Sequence, residues 1–153
     1  MQWVTRRSIR VNRMATTWLI RRFIDPQAVF LFVEPDQVAD IQQREGAKGF
    51  DAPGATYPHK DEKGRCSFEI LVEEYCPGDV VLREIAQIVH GADFAEEISL
   101  TPESAGVRAI SHGFPLVTRD DHETIERGAF LYDSLYAALQ QQRTERTQPN
   151  EEL

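Results

Sequence analysis

His90 and Asp93 stand three residues apart in the segment IAQIVHGADF, whose apolar residues recur at helical spacing. On a helix this spacing puts the imidazole and the carboxylate on one face, with Cβ atoms about 5–6 Å apart. Both can then reach a single divalent ion, as the Glu-x-x-His pairs of di-iron bundles do. Glu69 lies on the preceding helical segment, which the Pro77-Gly78 break turns back antiparallel, and it adds a second carboxylate. His59, in the glycine- and proline-rich stretch before that, completes two imidazoles and two carboxylates. With water, such a set suits Zn, Mn or Fe rather than Ca or Mg. The plainer reading is a lone His-x-x-Asp pair in which His90 faces the negative end of its own helix. Asp51, Cys66 and the run Asp120-Asp121-His122 are further side chains of ligand type. The run reads as a helix start, and Cys66 and Cys76 as small buried residues.

A second chemistry is carried by arginine. Residues 1–25 hold six arginines against one aspartate, so the other 128 residues carry −13 of the total charge of −8. Arg13, Thr17 and Arg21 share one helical face, and Arg6 precedes them on a short strand. The planar guanidinium fork matches a tetrahedral oxyanion. The competing reading is a solvated basic face paired with nearby acids.

These side chains need elements to hold them. Trp3–Arg6 alternates as an opening strand. Asn12 is a candidate cap for a helix reaching Ile24, with Met14, Ala15, Trp18, Leu19 and Phe23 on its apolar stripe. The run 29–33 (VFLFV) reads as a buried strand. Asp36 caps a short helix over 37–45, closed by Gly46. Residues 46–65 form a long connection, of a length often tied to function, with a small strand near Thr56-Tyr57. From Ser67 the spacing of Phe68, Leu71, Val72 and Tyr75 is helical, although Phe68, Ile70 and Val72 also fit a strand. Asp79 caps the next helix. Another follows Thr101-Pro102-Glu103 and is expected to stop at Gly113. The last runs from Asp121 to Gln142 with Leu131, Leu135, Ala138 and Leu139 inward, and Tyr132 and Tyr136 at the core edge. The fold class is α+β, predominantly helical, with helices packed on a small N-terminal sheet. Residues 1–142 read as a single domain and 143–153 as a disordered tail.

Composition narrows the class. Hydrophobic residues make up 41% and charged residues 27%, an ordinary globular balance. Two cysteines argue against a disulfide scaffold and fit a reducing compartment. The opening MQWVTRRSIRVNR has neither an apolar run nor a small-residue cleavage site, and no stretch approaches about 20 apolar residues, so a cytoplasmic location is expected. Overall acidity speaks against direct nucleic-acid binding and against association with anionic membrane, since both need a broad positive field. A phosphate-binding glycine loop, a nucleophile elbow and a paired CxxC are all absent from the sequence.

Five segments in order, VNRMATTWLIRRFIDPQAVFLFV, FDAPGATYPHK, CSFEILVEEY, IAQIVHGADF and YDSLYAAL, resemble the ChrB chromate-resistance domain. The resemblance runs from Trp3 to about Leu139. It implies a protein linked to chromate resistance, as regulator or accessory, and its His and acidic positions match His59, Glu69, His90 and Asp93. Relatives often carry an extra N-terminal regulatory region. This chain opens at the shared domain and resembles the stand-alone form, so a DNA-binding role is not carried over. The family's first helix usually reads Asp-Arg and then Ala-Cys-Pro before the tryptophan. Here Asn12-Arg13 and Ala15-Thr16-Thr17 stand there, which removes a thiol from that position.

Three readings stay open on these grounds. One is a sensor or accessory domain in which Arg6, Arg13 and Arg21 bind an oxyanion such as chromate, with a homo-oligomer as one setting for the response. Another is a metal-dependent enzyme, redox or hydrolytic, using His59, Glu69, His90 and Asp93. The third is a structural interaction module.

Overall fold

A computed structural model describes residues 1–147. The chain folds as β1 (Gln2–Arg6), α1 (Val11–Leu19), β2 (Val29–Val33), α2 (Val38–Glu45), β3 (Lys48–Gly49), α3 (Ser67–Tyr75), α4 (Val80–Asp93), α5 (Ser104–Val117) and α6 (Asp121–Thr147). It is predominantly helical, with a three-stranded sheet at the N-terminus in the order β2-β1-β3. Both pairings are parallel. That follows from the connections, because parallel neighbours need a crossover and α1 and α2 supply the two crossovers. No helix among the described residues is long and apolar enough to cross a membrane.

β1 is the central strand, with Trp3, Val4 and Thr5 buried. β2 lies at the edge, which corrects the expectation of a buried strand. Only Phe30 is fully enclosed, and Val29 is 53% exposed. An apolar β-branched run reports strand propensity, not the number of neighbours the strand will have. The small strand expected near Thr56-Tyr57 is a single parallel bridge from Phe50 to Tyr57.

α1 is the hub of the molecule. Every residue from Val11 to Leu19 is buried, because α3, α4, α5 and α6 all pack on it. Asn12 is therefore not a cap. Arg10 holds the cap position, and the Asn12 side chain accepts from Thr16 Oγ1 (2.7 Å) and donates to Ser67 (3.3 Å) inside the core. The helix continues as a π-turn over Ile20–Ile24, closed by Asp25 N–H donating to Ile20 O.

α3 and α4 form an antiparallel hairpin. Asp79 caps α4 by accepting from Leu82 N–H at 2.9 Å and also accepts from the Tyr136 hydroxyl. Where α4 meets α5, a Cβ on Gly91 would come 2.4 Å from Ser104 Oγ, so only glycine allows this approach. α5 passes through Gly113 to Val117 with Pro115 inside it. Gly113 does not take the left-handed φ that a glycine stop requires. α6 likewise runs past Gln142, and Arg143 pairs with Glu84 on α4. The rest of the expected tail, residues 148–153, lies outside the described residues. On α6 Tyr132 is enclosed and stacks on Trp18 at 5.5 Å, while Ala138 faces solvent.

Candidate functional site: an arginine cleft beside a histidine pair

The ends of β1 and α1 define a cleft. The chain leaves β1 at Arg6, turns through Ser8 and enters α1, so the first turn of the buried helix opens onto the loop. Asp121, the first residue of α6, fixes that loop by accepting from Ser8 N–H (3.0 Å) and Ile9 N–H (2.9 Å). The opposite wall comes from the long connection after β3. Among the described residues, Ser8 (φ 67°) and Asp51 (φ 51°) are the non-glycine residues with positive φ. Both line this cleft. Backbone held in a sparsely populated region at one place is a mark of a functional site.

Asp51 organises the centre. Its side chain is 1% exposed. Oδ2 accepts from Arg13 NH1 at 2.8 Å, and Oδ1 meets His59 Nδ1 at 2.7 Å and Arg6 NH2 at 3.4 Å. Arg6 Nε also donates to the Asp51 carbonyl at 2.7 Å, and Arg13 NH2 donates to the Ser8 carbonyl. Burial pushes the Asp51 pKa up, but the His59 hydrogen bond and the Arg13 and Arg6 charges outweigh it and hold the group below its usual range. The same hydrogen bond raises the His59 pKa.

Asp93 sits at the back. Its Oδ2 is buried and lacks a hydrogen-bond partner, and His59 Nδ1 approaches it only to 3.6 Å. Burial, and then the neighbouring negative charge of Asp51, push the Asp93 pKa up to about 6. The cavity has a volume of about 330 Å³, near the small end for ligand sites. Arg7 and Arg10 complete its basic rim.

A wider groove of about 710 Å³ runs along β2 and the start of α6, past Phe32 and His122. It gathers no comparable network. Asp120 and Asp121 there accept backbone N–H groups, and the His122 ring packs edge-on to Phe32 at 4.9 Å.

A second group of polar side chains lies across the α3–α4 hairpin. Cys66 and Glu69 form a capping box at the start of α3, in which Glu69 Oε1 accepts from Cys66 N–H at 3.0 Å. Glu69 Oε1 also meets His90 Nδ1, from the last turn of α4, and His90 Nε2 meets Glu97 in the turn Ala95–Glu97. Burial, with the Glu69 charge behind it, raises the Cys66 thiol pKa well above its ordinary value.

The four residues expected to share one ion thus fall into two groups, His59 with Asp93 and Glu69 with His90. Phe94 packs edge-on against both imidazoles, with ring centroids 5.3 Å from His59 and 4.7 Å from His90. Arg6 and Arg13 meet on Asp51, but Arg21 does not join them. Eight residues of helix carry it about 12 Å along the axis, where it donates to the Ala28 carbonyl and lies over Phe30. Asp51, the keystone of the cleft, has only the sequence signature of a turn aspartate in FDAPG. Glu97 has no sequence signal of its own. Cys66 had one, since Cys66 and Glu69 share the i, i+3 spacing used for His90 and Asp93.

Residues 3–139 match the family described as ChrB, C-terminal domain. The chain belongs to this family. It is also 37% identical over 139 residues to Protein ChrB of Cupriavidus metallidurans. That match covers 88% of this chain and 40% of the relative, so the chain spans well under half of that protein's length. No solved structure matches it. Within the ChrB domain both groups of polar residues fall inside the matched region.

Proposed function

We propose that this ChrB domain serves chromate resistance as a sensor or accessory by binding a tetrahedral oxyanion, with chromate as the ligand, between Arg6, Arg10 and His59. The observation that carries the reading is the lining of the cleft, where four arginines and a histidine face two carboxylates. Asp51 spends both of its oxygens on Arg13, Arg6 and His59, so it acts as the internal strut that aims the basic groups. A cation gains little from Asp51, because both of its oxygens are engaged and two guanidiniums stand beside it. An anion gains charge-assisted hydrogen bonds from the remaining guanidinium N–H groups and the favourable field of the first turn of α1.

Arg6 is 32% exposed, so its outer edge faces the cavity, whereas Arg13 is 5% exposed and holds position. Calorimetry with chromate and with sulfate tests the reading. Saturable binding of one equivalent is expected. Arg6→Gln or Arg10→Gln is expected to weaken it about 10- to 150-fold, from the roughly 1.5–3 kcal/mol carried by one hydrogen bond to a charged group. Absence of heat with either anion on folded protein overturns it.

A further inference from the structure

We propose that Cys66, Glu69 and His90 form a separate site for a thiophilic transition-metal dication, with Glu97 as the carboxylate that orients the imidazole. One donor atom from each of the three residues lies within 4.8 Å of the other two. A tetrahedral ion with bonds of about 2.0–2.3 Å places its donors about 3.3–3.8 Å apart. Glu69 Oε1 and His90 Nδ1 already touch, so an ion entering between them would part these two atoms while drawing in the Cys66 sulfur.

The roles follow from which atoms face which. His90 turns Nδ1 toward Glu69 and Nε2 toward Glu97. Nδ1 is the ligating atom, and the Nε2–H donates to Glu97. This carboxylate–imidazole–metal relay fixes the tautomer and ring orientation of ligating histidines. Glu97 is half-exposed, at 48%, while His90 and Glu69 are 13% and 14% exposed. Glu97 therefore marks the solvent side of the cluster. The backbone holds two of the ligands in register, because Cys66 and Glu69 already point the same way as cap and third residue of α3.

On binding, the Cys66 thiol releases its proton to solvent. Thiolate and carboxylate then neutralise the dication, which offsets the cost of placing it beside buried groups. Three protein ligands leave a fourth position for water, the arrangement of an open zinc-type site. Sulfur, nitrogen and oxygen donors together favour Zn(II), Fe(II) or Co(II) over Mg, Ca and, through the thiolate, Mn. His59 is not needed, being hydrogen-bonded to Asp51, and Asp93 faces the His59 side of the cleft. This inference stands apart from the oxyanion reading, since the two sites use different side chains.

The test is titration of reduced, metal-free protein with Co(II), followed by the thiolate-to-cobalt charge-transfer band in the near ultraviolet. One equivalent is expected to give the band, and Zn(II) to displace it. Cys66→Ser is expected to abolish the band and His90→Ala to abolish tight binding, while Cys76→Ser and His59→Ala retain both. Should Cys66→Ser fail to fold, Glu97→Gln decides, because Glu97 is on the surface. A loss of about 10- to 100-fold in affinity is expected of an orienting partner. No charge-transfer band in the parent protein, a band that survives Cys66→Ser or is lost in His59→Ala, or unchanged affinity in Glu97→Gln would overturn the proposal.

Discussion

Replacing Asp51 by asparagine keeps the shape of the strut and removes its charge. Arg13 is then left 5% exposed with its nearest counter-ion gone. Removing one partner of a buried ion pair costs about 3–5 kcal/mol. The other two contacts add little, because Arg6 and His59 are 32% and 43% exposed and water screens them. The asparagine carbonyl still accepts one bond from Arg13, so the lower end of that range, about 3 kcal/mol, is expected at pH 7. For a domain of this size that corresponds to a fall in Tm of roughly 6–12 °C. An exposed pair provides the contrast. Arg44 and Glu45, 3.6 Å apart and 68% and 47% exposed, should lose less than about 1 kcal/mol in Glu45→Gln. Urea denaturation of parent, Asp51→Asn and Glu45→Gln measures all three. The sign with pH is fixed by the depressed Asp51 pKa. Its contribution is present above the unfolded carboxylate value of about 3.9 and is lost as pH falls through the lower folded value. The gap between parent and Asp51→Asn should therefore hold from pH 7 to 5 and close only below about pH 4. Equal stability at pH 7, or a gap that closes between pH 7 and 5, refutes the strut.

Asp93 should behave in the opposite sense. Its pKa is raised to about 6, so the folded protein is destabilised as pH rises from about 4 through 6. Asp93→Asn is expected to gain up to about 3 kcal/mol at pH 7 and nothing near pH 4, and denaturation at the two pH values checks it. A gain that is the same at both shows that ionisation is not the cause. Sulfate stays a dianion from pH 8 to 5, and over that range Asp93 loses its negative charge beside His59, whose hydrogen bond to Asp51 favours its charged form. Sulfate affinity by calorimetry should rise as pH falls, and an affinity that drops or stays flat argues against binding beside these two groups.

Local signals carried much of the architecture. The Asp79 cap, the Pro77-Gly78 break and the apolar spacing of Leu82, Ile85, Ala86 and Val89 were enough to place α4 against α3, and with it His90 beside Glu69. Arg6 and Arg13 were legible as a basic pair, although their convergence on Asp51 was not. Asp51 reaches its place because the connection after β3 folds back as an extension of the sheet, through Phe50 N–H donating to Val4 O. That is long-range pairing which no local pattern announces. Asn12 looked like a cap because its residue type favours caps, yet four other helices surround α1 and draw that side chain inward. Gly113 looked like a stop because the rule depends on φ, which sequence does not display. His59 and His90 were expected to share an ion; His59 is hydrogen-bonded to Asp51 and His90 to Glu69, and Phe94, the residue just after α4, packs against both rings, a long-range arrangement that spacing alone does not display.

Crystals soaked in chromate, with anomalous difference maps recorded for chromium, locate the bound anion directly. Binding in the cleft puts a chromium peak within hydrogen-bonding reach of Arg6, Arg10 and His59 and removes it in Arg6→Gln crystals. A peak confined to other surfaces, or no peak at concentrations that saturate the calorimetric signal, contradicts it.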